Sequence, residues 1–134
     1  MKWLRVLWAS PNTLLGLALG YIGVLFGGHV ARTQGAIEFH GRFVQWILNR
    51  IPGPSGGAAA VTIGHVILGV DAFSLDFCRV HEHVHVRQYE RWGPFFLPAY
   101  FACSSWLWIR GRNAYYDNPF EREAYGVSDS CEEV

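Results

Sequence analysis

Between Arg5 and Arg32 the chain carries no formally charged side chain, and His29 is the one group there that titrates near neutral pH. A run this long points to a helix that must hide apolar surface, in lipid or against a core. Its centre, Asn12 to Gly28, reads NTLLGLALGYIGVLFGG. A helix from Val6 to Gly28 would be about 35 Å long, enough to cross a hydrocarbon layer of about 30 Å. Trp3 and Trp8 would then sit at headgroup level, and Gly16, Gly20 and Gly23/Gly27 would offer a face for close helix contact. The expectation is a retained transmembrane helix. A cleaved signal peptide shares the basic start and apolar middle, but no small-x-small cleavage site follows. A buried helix of a soluble core is the remaining alternative. Lys2 and Arg5 precede the run, and Arg32, Arg42 and Arg50 follow it, so orientation in a bilayer stays open.

The rest of the composition agrees with a chain that has apolar surface to spare. Of 134 residues, 51% are hydrophobic and only 16% charged, which excludes a disordered, highly charged chain. The net charge is zero, which leaves no electrostatic footprint for nucleic acid. Three cysteines without a CxxC spacing argue against both a disulfide framework and a cysteine zinc site. By length the chain is one domain.

Gly35–Arg50 (GAIEFHGRFVQWILNR) reads as an amphipathic helix, and Ile51–Ala60 (IPGPSGGAAA) as a loop. The β-branched run that follows predicts a buried strand over Val61–Leu68, and Leu75–Tyr89 predicts a helix ended by Gly93-Pro94. Trp92–Ile109 is again uncharged, but Pro94, Pro98 and two serines predict a broken, re-entrant or interfacial segment rather than a second span. Asn118-Pro119 reads as an N-cap followed by proline in the first helical position. The expected organisation is an N-terminal transmembrane helix (1–31), an amphipathic helix and loop (32–60), a metal-binding core (61–126) and a polar tail (127–134).

Chemistry concentrates in Arg79-Val80-His81-Glu82-His83-Val84-His85, which contains H-E-x-x-H. On a helix, positions i and i+4 share a face, so His81 and His85 can both reach one Zn²⁺. Glu82 is placed to take a proton from a metal-activated water rather than to ligate. Downstream, Asp117-Asn118-Pro119-Phe120-Glu121-Arg122-Glu123-Ala124-Tyr125 offers a helical glutamate as third ligand, leaving a fourth position for water. Glu121 also lies three residues after Asn118, where it could complete a capping box instead. His83 points away from the two candidate ligands, and His65 reads as a core histidine on a strand. His29 and His40 carry no signal. Arg87 and Arg91 suit a solvated face or lipid headgroups. His83-Val84-His85 with Glu90 also matches the H-x-H-x₄-E spacing of a cupin, which would need those histidines on a strand.

The paired motifs over about residues 61–126 resemble the gluzincin metallopeptidases, including membrane-embedded members of that group. The resemblance implies a minimal zincin-like, mostly helical α+β fold and one Zn²⁺ per chain. It places the third ligand on Glu121, with Glu123 second, and makes the preceding strand a site for an extended peptide. Tyr125 stands where that group usually has Asp or Asn, so another group must orient a ligand imidazole; Asp71, Asp76 or a backbone carbonyl are candidates. His65, Tyr115 and Tyr116 are candidates for stabilising the transition state.

The expected function is an integral-membrane zinc hydrolase, most simply a metallopeptidase, with the bilayer and a peptide or protein as partners. The alternative is a non-catalytic accessory subunit of a membrane complex that keeps the fold. His₂Glu with an open position favours zinc, though such a site also tolerates Co or Mn.

Overall fold

The computed structural model describes residues 1–53 and 56–132, with side chains described through residue 129. Helix α1 (Lys2–Leu25) is followed by strands β1 (His29–Thr33) and β2 (Ala36–His40) and by helix α2 (Arg42–Leu48). Strands β3 (Ala60–Ile63) and β4 (Val66–Gly69) precede helices α3 (Ala72–Trp92), α4 (Phe96–Ile109) and α5 (Pro119–Glu132), with one 3₁₀ turn (Gly93–Phe95) between α3 and α4. The architecture is mixed α+β and mostly helical. Its sheet runs in the order β1-β2-β4-β3, with β2 and β4 parallel and the two outer pairs antiparallel.

Alternation along the strands sends side chains to two different layers. Phe39, Val66 and Leu68 face a core completed by Val44 and Leu48 of α2 and flanked by α1. Ala36 and Ile67 point the other way, to Leu75 and Val86 of α3. Glu38, also on that side, receives two hydrogen bonds from the Arg79 guanidinium, at 2.9 and 3.0 Å, which pins α3 across β2. A third cluster, Ala9, Tyr89, Phe96 and Phe120, joins α1, α3, α4 and α5 beyond the sheet.

No helix among the described residues is long and apolar enough to cross a membrane, so the expected transmembrane span over 1–31 is unsupported. The glycine stripe that suggested it packs on the sheet: a Cβ at Gly16 would meet Val66 Cβ at 2.7 Å, and one at Gly20 would enter the Phe39 ring. Asn12 and Thr13 interrupt the apolar run at mid-helix and find partners in protein. The Asn12 amide donates to Gly93 O at 3.1 Å, and Thr13 Oγ1 accepts from His65 N at 3.1 Å. The small-residue face and the polar break of α1 are thus both turned to the protein, while Leu4, Leu7, Leu14, Leu15 and Leu25 on its other side are exposed.

Two further expectations change, and a third, the break in the 92–109 segment, is met in part. Residues 35–50 are not one helix; the first part is β2, because Gln34 (φ 51°) and Gly35 (φ 87°) make a two-residue hairpin turn from β1. The strand expected over Val61–Leu68 is itself a hairpin, β3 and β4, turning at Gly64 (φ 66°), where any Cβ would strike Thr13. Trp92–Ile109 forms the 3₁₀ turn and a single helix. Pro98 falls in the first turn of α4, where N–H groups have no intrahelical acceptor. At 14 residues α4 is about 21 Å long, too short for a bilayer. As expected, Asn118 caps α5, its Oδ1 accepting from Phe120 N at 3.0 Å; α5 then runs on to Glu132 through the stretch read as a polar tail.

Candidate metal centre

Asp71 starts α3 by accepting from Ser74 N at 2.7 Å, and from there the helix presents His81, Glu82, His85, Gln88 and Tyr89 as one buried face. Against it lies the first turn of α5, whose entry is set by the Asn118 cap, and this brings Glu121 over the two histidines. His81 Nε2 lies 3.0 Å from Glu121 Oε2, His85 Nε2 lies 3.3 Å from the same oxygen, and the two Nε2 atoms are 3.2 Å apart. Tetrahedral zinc with bonds of about 2.0–2.1 Å puts its donor atoms about 3.3 Å apart. The triangle therefore fits a single small cation, and the three residues form a metal-capable group.

The surrounding hydrogen bonds aim these atoms. Gln88 donates both amide hydrogens, to Phe120 O at 3.0 Å and to Glu123 Oε2 at 2.9 Å. Its Oε1 is left as an acceptor for His85 Nδ1, at 2.8 Å, so Nδ1 keeps its proton and Nε2 is the nitrogen turned to the cluster. Arg91 in turn donates to Glu123. Glu123 thus faces outward as a support, and only Glu121 of the two glutamates reaches the histidines. Glu121 Oε1 accepts from Tyr100 OH at 2.7 Å, which leaves Oε2 to the cluster.

His81 is held differently. The Tyr125 ring, where a carboxylate would stand in the gluzincin pattern, packs edge-on against it with centroids 4.5 Å apart, and His81 Nδ1 is buried with no hydrogen-bond partner among the described residues. Asp71 is spent on the α3 cap and Asp76 on Arg79, so neither orients a ligand.

No family model matches the chain, and neither a curated protein nor a solved structure does. The chemistry of the centre must be read from its own geometry.

Glu82 is 5% exposed, and its Oε2 accepts from Thr62 Oγ1 at 2.6 Å. Among the described residues no side chain bonds its Oε1. Burial by itself would keep the His85 ring neutral, but the Glu121 hydrogen bond and the charges of Glu82 and Glu121 prevail and push it up to about 9. Burial would likewise raise Glu121, yet hydrogen bonds with His81 and His85 pull it down to about 2. A metal entering here displaces a proton, so its affinity falls as pH falls.

The other sequence candidates are not members of the His81–His85–Glu121 group. His65 bridges α1 and α3, with Nε2 at 3.0 Å from Glu90 Oε1 and Nδ1 at 3.3 Å from Thr13 Oγ1. Tyr115 OH meets Tyr125 OH at 3.1 Å, so Tyr115 stands behind the ring that covers His81; Tyr116 is an exposed neighbour of that pair. His83 bonds the Arg79 carbonyl within α3, and the histidines of the cupin spacing are helical, which removes that reading. Glu121 turns to the histidines and makes no capping box. The edge strand β3 is four residues long, and its Thr62 carbonyl already accepts from Tyr89 OH, so part of the edge expected to receive a peptide is engaged. Gln88 and Tyr100 were not anticipated: Gln88 follows His85 at i+3, a readable helical spacing, whereas Tyr100 is brought in only by the fold of α4.

Proposed function

We propose that this protein is a membrane-associated, zinc-dependent hydrolase of zincin-like design, with peptide bonds as its substrate class. The observation that supports it best is the convergence of His81 Nε2, His85 Nε2 and Glu121 Oε2 within one coordination sphere, beside the buried carboxylate of Glu82. Zinc bound there would polarise a carbonyl and lower the pKa of a bound water toward ~7. Glu82, anchored through Oε2 by Thr62, keeps Oε1 to accept a proton from the attacking water and to return it to the leaving amine. Gln88 and Tyr100 hold His85 and Glu121 in register, so that the donors are preorganised. The membrane part of the reading is supported by exposed aromatics on α1 and α4, among them Trp3, Trp8, Phe101, Trp106 and Trp108.

A second reading has a specific observation in its favour. The ligands are 9% exposed or less, with Tyr100, Tyr115 and Tyr125 packed about them, as suits a structural metal in an accessory subunit of a membrane complex. Glu82→Gln separates the two. With zinc content equal to wild type, hydrolysis of a peptide library should fall by about 10²–10⁴-fold if Glu82 is the base. Equal activity in wild type and variant, or none in either, favours the structural reading.

A further inference from the structure

The N-terminal part of α1 runs past the sheet to the C-terminal end of α3. Trp8 packs on Gly93, whose φ of 56° and lack of a Cβ admit the indole, and its ring lies 5.9 Å from that of Phe95. In this seam is an open cleft of about 430 Å³ lined by Arg5, Arg87, Glu90 and Arg91. Its charges are unequally matched. Glu90 is bonded to His65 and Arg91 to Glu123, while Arg5 and Arg87 pair with no carboxylate among the described residues. The cleft therefore holds a surplus of positive charge with five-donor guanidinium forks, the group best matched to phosphate. The two large apolar side chains that meet in the same seam stand partly in water: Trp8 is 44% exposed and Phe95 61%. Arginines beside exposed tryptophans are the combination that a bilayer surface satisfies, phosphate to the first and the headgroup–acyl boundary to the second.

We propose that Arg5, Arg87 and Arg91 bind the phosphate of an anionic phospholipid, with Trp8 and Phe95 entering the bilayer surface beside it. This rests on the membrane attachment proposed above and not on the metal centre. The same helix that carries His81 and His85 then carries the lipid contact at Arg87 and Arg91, and Arg91, through Glu123 and Gln88, joins the cleft to His85.

The test is flotation of the full-length protein with phosphatidylcholine vesicles, with and without phosphatidylglycerol. Wild type should bind the anionic vesicles more tightly, and added salt should weaken that binding. Arg5→Gln/Arg87→Gln should lose about thirtyfold on the anionic vesicles and little on the neutral ones. Trp8→Ser/Phe95→Ser should lose binding to both. All four side chains are exposed, and unchanged circular dichroism and zinc content check each variant's fold. Unchanged binding of the arginine variant, indifference of wild type to salt, or displacement from vesicles by inorganic phosphate alone would each overturn the proposal. Zinc content is read on the same samples, so failure of the metal reading shows separately.

Discussion

Two histidine–carboxylate contacts sit on α3, and both measure 3.0 Å: His65 with Glu90, and His81 with Glu121. At the first, both ring nitrogens are consumed, one by Glu90 and one by Thr13, and the contact sews the β3–β4 turn to α1 and α3. At the second, two imidazoles and a carboxylate turn toward one another, with Gln88 and Tyr100 fixing His85 and Glu121 from behind. Distance does not separate a structural stitch from a candidate metal centre. What separates them is convergence: at the second, three potential ligand atoms lie 3.0–3.3 Å from one another, whereas at the first the two ring nitrogens turn to partners on different helices.

That contrast can be sharpened by substituting behind each contact. Gln88→Leu removes the acceptor for His85 Nδ1 and should weaken zinc binding by about 10–100-fold in a chelator competition. Glu90→Gln, on the same helix but at the other contact, should leave zinc affinity unchanged. Conversely, His65→Ala should cost about 1–2 kcal/mol in urea unfolding, since it strips partners from Thr13 and the half-buried Glu90, yet leave one zinc per chain. If His65→Ala lost the metal, or Gln88→Leu kept it at full affinity, the division between the two contacts would be wrong.

The smallest effect is on the pH dependence of the metal-free protein. His85 is raised from 6.5 to about 9, so its contribution to stability is complete below pH 6.5 and disappears as pH rises through 9. Glu121 is lowered from 4.5 to about 2, so its contribution is complete above pH 4.5 and disappears as pH falls through 2. The pair therefore supports the fold most between pH 4.5 and 6.5, and Tm of chelator-treated protein should peak there and decline above pH 7. Glu121→Gln should flatten that profile.

The two contacts also differ in how far sequence revealed them. His81, Glu82 and His85 were legible because helical spacing alone puts the two histidines on one face, and Asn118-Pro119 announced the helix that carries Glu121. His65 was placed on a continuous strand because Gly64 was not recognised as a turn, and its role depends on Thr13, 52 residues away. Gln88 resembles a surface residue until Phe120 and Glu123 arrive from α5. The glycine stripe of α1 carries the same pattern whether a lipid-embedded helix or a sheet lies against it; the polar break at Asn12 and Thr13 favoured the sheet. β1 was missed because Gln34-Gly35 is a weaker turn signal than Asn-Gly.

The central claim is that the α3–α5 contact is a metal centre and the α1–α3 contact is not. Elemental analysis of protein purified without chelator, for wild type, His85→Ala, Glu121→Ala and His65→Ala, tests it most directly. The expected result is about one zinc per chain in wild type and His65→Ala, and none in the other two. Metal-free wild type, or one zinc per chain retained in His85→Ala or Glu121→Ala, would contradict it.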